Sequence, residues 1–447
     1  MEGAMSFTDS VGDEFAQALR QFDALLDRKL LDALQPSGPN AVYTTAVVVL
    51  LLIYQRLRGN ASLGLAVSQY MDALQGSSCN RRVTEGTLSA NTAGYSRARS
   101  RLEVKTAERV CDLMYEKLTA TTEPSYAGRR VYILDGTTVT LPPEPALKRA
   151  FPPAPNQHGA SHWPVCHLLM AHELASGCAL RPEIGAMYGP ERVGELTLAV
   201  RLLPRLPPHS VLLADRNFGV FAYVFAAVTG GHDVLVRMTE KRFQSLRRSA
   251  TPCGPGEWTL LWKPSRWDRS SHPELPDEAC VPIRLHEVQV RDNLTLWLVT
   301  TLTGSGAEWA ALYGRRLDVE TDIRDIKTTL QVDRMTSRSV SMMYKEVTLA
   351  IVAYNLVVQV RRLAAQQAGV PPRRLSFSGT WSLLTTMLLR QPEHNAAQWR
   401  KRFECVLRGA AQRKIPRRPG RSYPRTVLPR RRKFPERPPD PYKSKPK

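Results

Sequence analysis

Apolar residues recur at helical spacing through the first quarter of the chain. "FAQALRQFDALLDRKLLDAL" carries Phe, Ala and Leu three and four apart, which predicts a helix. "NAVYTTAVVVLLLIYQRL" predicts a second, and its run from Ala46 to Ile53 is apolar on every side, so this helix is buried. "SANTAGYSRARSRLEVKTAERVCDLMYEKL" contains a third, preceded by a basic segment with Tyr95, Arg97, Arg99 and Arg101. Residues 1–125 thus read as an all-α unit with basic turns, suited to nucleic-acid recognition or to plain helical support.

From residue 129 the period changes. "RRVYILDGTTVTLP" predicts a strand ending in a turn, and "VCHLLMAHELASGCALRPEIG" two more across "ASG". "GELTLAVRLLPRL" is a helix, "HSVLLADRNFG" a short buried strand, "VFAYVFAAVTG" a helix and "HDVLVRM" a strand. This β-β-β-α-β-α-β run predicts a mixed α/β sheet with crossover helices over 126–240. Residues 241–305 interrupt it with Pro, Ser and Arg clusters and a hairpin, "VPIRLHEVQV" and "LTLWLVTTL" about the turn "RDN". They predict a β-rich insertion. Residues 306–365 return to helix and complete the core, 366–411 form a C-terminal helical segment, and 412–447, rich in Pro, Arg and Lys, predict a disordered basic tail. The fold class is multidomain α/β.

One helical stretch, "LYGRRLDVETDIRDIKTTL", has two faces. At about 100° per residue, Tyr313, Arg316, Glu320 and Lys327 fall within an arc of roughly 60°. Leu312, Val319, Ile323, Ile326 and Leu330 form an adjacent apolar stripe. A solvated face of i,i+4 ion pairs is the plain alternative to a functional one.

Charge narrows the partner. Net charge is +21, and residues 401–447 alone hold 17 Lys/Arg against 3 Asp/Glu, which favours a polyanion such as nucleic acid. With 43% hydrophobic residues the chain can build a large core. Seven scattered cysteines without a C-x-x-C pair predict reduced thiols, and neither a disulfide framework nor a zinc site. The polar, acidic start is unlike a signal peptide, and the eight-residue run Ala46 to Ile53 falls far short of the ~20 residues that span a bilayer.

Candidate chemistry rests on three carboxylates. Asp135 in "YILDGT" and Asp215 in "VLLADRNF" each follow a hydrophobic strand, where open sheets place functional groups. Glu320 lies on the polar helix face. Together they could hold two divalent cations for phosphodiester chemistry; singly, each Asp could merely cap a turn.

These residues resemble a known family, the DDE transposases of bacterial insertion sequences, in the subgroup marked by Tyr-x2-Arg-x3-Glu-x6-Lys. Here that signature is Tyr313, Arg316, Glu320 and Lys327, with every interval matched. "DGT", "DRNF" and the β-rich insertion fit the same pattern over about 130–365, and "AGYSRARSRL" more weakly. The resemblance implies an RNase-H-like core in which Asp135, Asp215 and Glu320 are catalytic and ligate metal. It implies cut-and-paste transposition, with hydrolysis at the element ends, a hairpin intermediate and strand transfer into target DNA. On this reading the protein is a bacterial, cytoplasmic and nucleoid-associated DNA transposase. It uses two Mg²⁺ ions, for which Mn²⁺ can substitute, and works as a homodimer on transposon-end and target DNA.

Tyr313, Arg316 and Lys327 would then grip the DNA backbone, Arg316 through its fork and Lys327 as a point charge. Arg97, Arg99 and Arg101 would add DNA contacts. One of Trp258, Trp262 and Trp267 would stack on an extruded base, the plain alternative being the core of a small β unit. His158, His162, His167 and His172 cluster in sequence but lack zinc-site spacing. The rival classes are a metal-dependent nuclease or resolvase without strand transfer, and a transposase-derived DNA-binding protein without catalysis.

Overall fold

The computed structural model describes residues 26–38, 40–74, 82, 85–157, 159–292, 294–389 and 396–416. The chain divides into two units, Met1–Lys414 and Ile415–Lys447, and the architecture below is that of the first. Most of the first predicted helix lies outside the described residues. Its last part is α1 (Arg28–Leu34), started by the Asp27 carboxylate, which accepts from the Lys29 and Leu30 N–H groups. α2 (Thr45–Leu57) is the apolar helix, capped by Thr44. α3 (Leu63–Leu74) has no counterpart among the predicted helices.

The basic segment is no turn. It is α4 (Ala93–Arg101), followed by α5 (Val104–Ala120), the third predicted helix. A distant residue finishes α4. Lys345, 1% exposed, donates to the Arg99 and Leu102 carbonyls at 2.8 Å each and approaches the Ser100 carbonyl at 3.4 Å. These carbonyls are among those that a helix end leaves without partners.

One mixed sheet organises the rest. Its first strands are β1 (Val131–Thr140), β2 (Pro153–Asn156), β3 (Gly159–Glu173) and β4 (Glu183–Ala186), with the short α6 (Pro145–Ala150) inside the β1–β2 connection. α7 (Glu195–Leu202) then leads to β5 (Val211–Ala214), and α8 (Phe221–Thr229) to β6 (Asp233–Arg237). β1 lies antiparallel to β3 and parallel to β5, and β5 is parallel to β6. Parallel neighbours require crossovers, which α7 and α8 supply. A mixed sheet of this kind is consistent with an RNase-H-like α/β core.

Two strand expectations change. β1 does not end at Asp135: β5 pairs only with Val131–Ile133, but β3 stays paired as far as Thr140. Asp135 is mid-strand on one side and past the strand end on the other. After "ASG", moreover, the chain forms only a bridge between His172 and Ala179 before β4. The reason is a side chain in place of a strand. Asn355 accepts from the Ala179 N–H at 2.8 Å and donates to its carbonyl at 2.9 Å, satisfying the backbone as a ladder would.

Residues 241–305 hold α9, which begins just before them (Glu240–Arg247), β7 (Thr251–Gly254), β8 (Glu257–Trp262), α10 (Arg266–Ser271) and the expected hairpin, β9 (Val281–Arg291) and β10 (Leu294–Thr300). This stretch does not stand apart from the sheet. β10 pairs antiparallel with β6, so the strand order runs β2-β3-β1-β5-β6-β10-β9-β8-β7, with β4 on β3.

The two-faced stretch is helical but not one α-helix. α11 (Gly306–Gly314) passes through a 3₁₀ turn (Arg315–Leu317) into α12 (Asp318–Arg324) and then a π turn (Asp325–Thr329). The expected apolar stripe is buried at Val319, Ile323, Ile326 and Leu330. α13 (Val340–Gln367) runs through the core, followed by α14 (Phe377–Leu389) and α15 (Ala396–Gln412). α13 is long and apolar enough to cross a membrane, but 83% of its most apolar window is buried inside the protein. The body extends past residue 411: Arg413 donates to the Gly379 carbonyl and Lys414 bridges Leu375. The basic tail from residue 417 lies outside the described residues.

Candidate active site

Asp135 sits where β5 stops pairing with β1, and Asp215 follows the last residue of β5. Two neighbouring strands therefore deliver both carboxylates to one end of the sheet. Asp215 also makes the turn contact expected of a capping residue, accepting from the Asn217 N–H at 2.8 Å. Burial pushes the Asp135 carboxyl up to about 6 from the usual 3.8; Arg316 opposes the rise, and the charges of Glu195 and Asp215 add to it.

Glu195 was not foreseen. It is the first residue of α7, and its carboxylate lies against the Gly136 backbone. Burial, and next the Asp215 charge, hold its carboxyl above the usual range. His167 also reaches the site, with Nδ1 3.2 Å from the Val193 carbonyl and Nε2 over Gly136. The one local signal was the small residue in "DGT": Gly136 leaves room that Glu195 and His167 fill.

The signature residues gather here, though not as one uniform face. Tyr313 is 7% exposed, and burial lifts its hydroxyl to about 12, with Arg316 opposing. The Arg316 guanidinium stands 3.9 Å from Asp135 and 3.1 Å from Glu320. Glu320 is 59% exposed. Lys327 donates to Thr137 Oγ1 at 3.1 Å and the Thr138 carbonyl at 2.8 Å, both on β1. The four differ in burial because a 3₁₀ turn winds more tightly than an α-helix and a π turn more loosely. A single 100° step cannot describe the segment. The i,i+4 pair of the plain alternative exists, but its arginine also serves a strand carboxylate.

Would a divalent cation suit these residues? The donors are all carboxylate oxygens, the hard ligands that Mg²⁺ takes. Asp135 is disfavoured as an anion by burial and by two like charges, a situation a cation would relieve. The chemistry of the donor set fits. Among the described residues, however, no three His, Cys, Asp or Glu side chains are grouped closely enough to hold one ion as they stand; Arg316 occupies the space between Asp135 and Glu320.

Other candidates fare unequally. Arg97 and Arg101 are exposed and line a groove of about 720 Å³ with Ser89 and Asn91. Arg99 is withdrawn from the surface: it pairs with Glu346 at 2.7 Å, 12% exposed, because that carboxylate is itself buried and needs a partner. Trp258 and Trp262 are core residues, packed on Phe243 and Phe221. Trp267, on α10, is 65% exposed and is the one of the three free to stack on a base. His172 is fully buried, and burial lowers it to about 4.

The sequence has counterparts in known proteins. A family model described as "Transposase DDE domain" matches residues 126–356, a span that holds Asp135, Glu195, Asp215 and Glu320. The chain is also similar to the transposase InsG for insertion sequence element IS4 of Escherichia coli (strain K12). Identity is 26% over 329 residues, which is 71% of this chain and 72% of that protein.

Proposed function

Because the chain belongs to the transposase DDE-domain family, we propose that it cleaves DNA at the ends of an insertion sequence and transfers the freed ends into target DNA. The observation that carries this reading is the meeting of Arg316 with Asp135 and Glu320, beside Lys327 on β1. Carboxylates and cations alternate around one end of the sheet. Such a site can take both a divalent cation and an anionic DNA backbone.

In this reading Asp135, Asp215 and Glu320 hold Mg²⁺, with Mn²⁺ able to substitute. When bound, the metal supplies Lewis-acid stabilisation and activates the attacking water or 3′-hydroxyl. Arg316 grips a phosphate of the scissile strand through its planar fork, and Lys327 holds the adjoining backbone as a point charge. The Tyr313 hydroxyl donates to phosphate. Like any tyrosine, it keeps that proton at neutral pH. The reaction is cut-and-paste with a hairpin on the element end, and Trp267 stacks on a base displaced as the hairpin closes. Two copies of the chain pair the two ends. Arg97 and Arg101 contribute phosphate contacts.

The test uses an end duplex taken from the inverted repeats that flank the coding frame. The wild type should nick it, form the hairpin and join a pre-cleaved end to plasmid DNA, all with Mg²⁺. Asp135→Ala, Asp215→Ala and Glu320→Ala should each abolish cleavage and leave end binding largely intact. Their losses should not add, since ligands act as one unit. Substantial Mg²⁺-dependent cleavage by Asp215→Ala would sink the assignment. Cleavage without joining would make the protein a nuclease or resolvase instead.

A further inference from the structure

We infer that Arg373 is a positioning residue: it sets the rotation of α12 and so the place of Glu320; this rests on the reading of Glu320 just given. Arg373 comes from a 3₁₀ turn, Pro372–Arg374, between α13 and α14. Proline opens that turn and fixes its φ, so the arginine is presented from a stiff base. Its Nη1 stands 2.7 Å from Asp322 Oδ1 and 2.6 Å from Oδ2. Its Nε faces Asp318 Oδ2 at 3.5 Å and the Leu174 carbonyl at 3.4 Å.

Asp318 and Asp322 lie about one turn apart on one face of α12. Glu320 is two residues from each, roughly 160–200° round the helix, so it leaves from the opposite face. Side-chain tips stand about 5–6 Å from a helix axis. A rotation of about 10° would therefore move the Glu320 carboxylate by about 1 Å. α12 has seven residues and lies between a 3₁₀ turn and a π turn. So short a helix gains little order from its own hydrogen bonds, and contacts from outside must fix its angle. Leu174 follows β3, and its N–H donates to the carbonyl of Val131, the first residue of β1, at 2.8 Å. Arg373 thus ties the helix that carries Glu320 to the strand pair that carries Asp135.

Asp322 is fully buried and the Arg373 side chain is 13% exposed. A buried ion pair gains little stability over apolar side chains of similar volume. What it has and they lack is direction: hydrogen bonds fix angles, and dispersion between apolar groups does not. Val319 and Ile323 bury α12 in the core, but apolar contact alone leaves its rotation loosely set. Arg373 is itself hemmed in. Gly177 has φ +78°, and a Cβ there would stand 2.8 Å from Arg361 Nη2 and 3.5 Å from Arg373 Nη2.

The experiment follows single-turnover nicking of the end duplex by the full chain with Mg²⁺. Asp322→Leu combined with Arg373→Met replaces the buried pair by apolar side chains, a change that often leaves stability level or raises it. This double variant should melt close to wild type or higher and should bind the end duplex as wild type does. Its nicking rate constant should nevertheless fall by about 10²-fold, the cost of a misplacement on the order of 1 Å. A pair that only supports the fold predicts the wild-type rate constant here, because the apolar pair supplies that support. Arg373→Lys keeps the charge beside Asp322 but offers one nitrogen in place of two, and its rate constant should fall between the two. The rate constant is read from the cleaving fraction alone, so unfolded molecules lower the amplitude and leave it unchanged. If the double variant does not fold, Arg373→Lys decides. A wild-type rate constant in the double variant, or in Arg373→Lys where that variant decides, overturns the inference. Glu320→Ala keeps the two readings apart. If it abolishes nicking while the Arg373 variants nick at the wild-type rate, the site stands and Arg373 has no part in it. If Glu320→Ala nicks normally, or wild type does not nick, both readings fall.

Discussion

Single side chains separate uses that one residue type could serve. Trp258 and Trp262 are core, so each change to Ala should cost about 3–5 kcal/mol; Trp267→Ala should move stability by less than about 0.5 kcal/mol. Urea midpoints check the first pair, and a hairpin-formation assay reads the third, which should slow at that step and nick normally. Arg316→Lys keeps a positive charge near Asp135 and Glu320 but loses the fork. Positioning errors on the order of 1 Å can cost about 10²-fold in rate, so nicking should fall by about that much. The lost i,i+4 pair is worth only about 0.3–0.5 kcal/mol, so the melt should barely change. Asp325 carries a pH signature. Burial pushes its carboxyl up to about 6 from 3.8, with Arg361 opposing. Such an acid binds its proton more tightly folded than unfolded. Its contribution is full below about pH 4 and is lost as pH rises through about 6. Asp325→Asn should flatten that fall and add on the order of 2 kcal/mol at pH 7.5, as read from urea midpoints across the range.

Elements here are completed by residues far away in sequence. α4 is strongly polar and short, and its last carbonyls are satisfied by Lys345 of α13. Lys345→Met keeps an unbranched side chain, one atom shorter, and removes the donors. Buried acceptors without partners cost about 1–3 kcal/mol each, so stability should drop by about 2–4 kcal/mol. Amide exchange over 93–101 should quicken, and end-DNA affinity should fall with it, since Arg97 and Arg101 ride on α4. An unchanged exchange pattern would mean that α4 holds itself. The signature segment is pinned likewise. Arg56 of α2 donates to the Leu330 and Gln331 carbonyls at 3.3 and 3.0 Å, just beyond the π turn. On its other side Arg373 pairs with Asp322 at 2.6 Å.

At the scale of the molecule, charge and body can be separated by one cut. Arg413 and Lys414 belong to the packed unit. Truncation after Pro416 therefore spares the described structure. It removes 12 Lys/Arg and two Asp/Glu. Non-specific DNA affinity should fall, and the slope of log K against log salt should flatten by about 0.9 for each lost phosphate contact. Nicking in low salt should persist. A salt slope equal to that of the full chain would show that residues 417–447 do not touch DNA.

The sequence by itself determined element types wherever apolar period is a local property. α2, α5, α13, β5 and the β9–β10 hairpin were legible for that reason. Asp135, Asp215 and the Tyr-Arg-Glu-Lys spacing were legible because residue identity and interval need no coordinates. What only the tertiary structure decided was partnership. Glu195 joins Asp135 across some sixty positions because α7 starts beside Gly136, midway along β1, and no local pattern encodes that approach. Arg99 and Arg101 look alike in the chain, yet a buried Glu346 claims one and leaves the other in solvent. The three tryptophans are equally apolar, and only packing separates Trp267 from its neighbours. Where β1 ends depends on two partner strands of unequal length. The signature segment also carries contacts from Arg56 and Arg373, which no local spacing encodes. Apolar period follows from the chain's own geometry, whereas the fate of a polar group depends on which distant atom satisfies it.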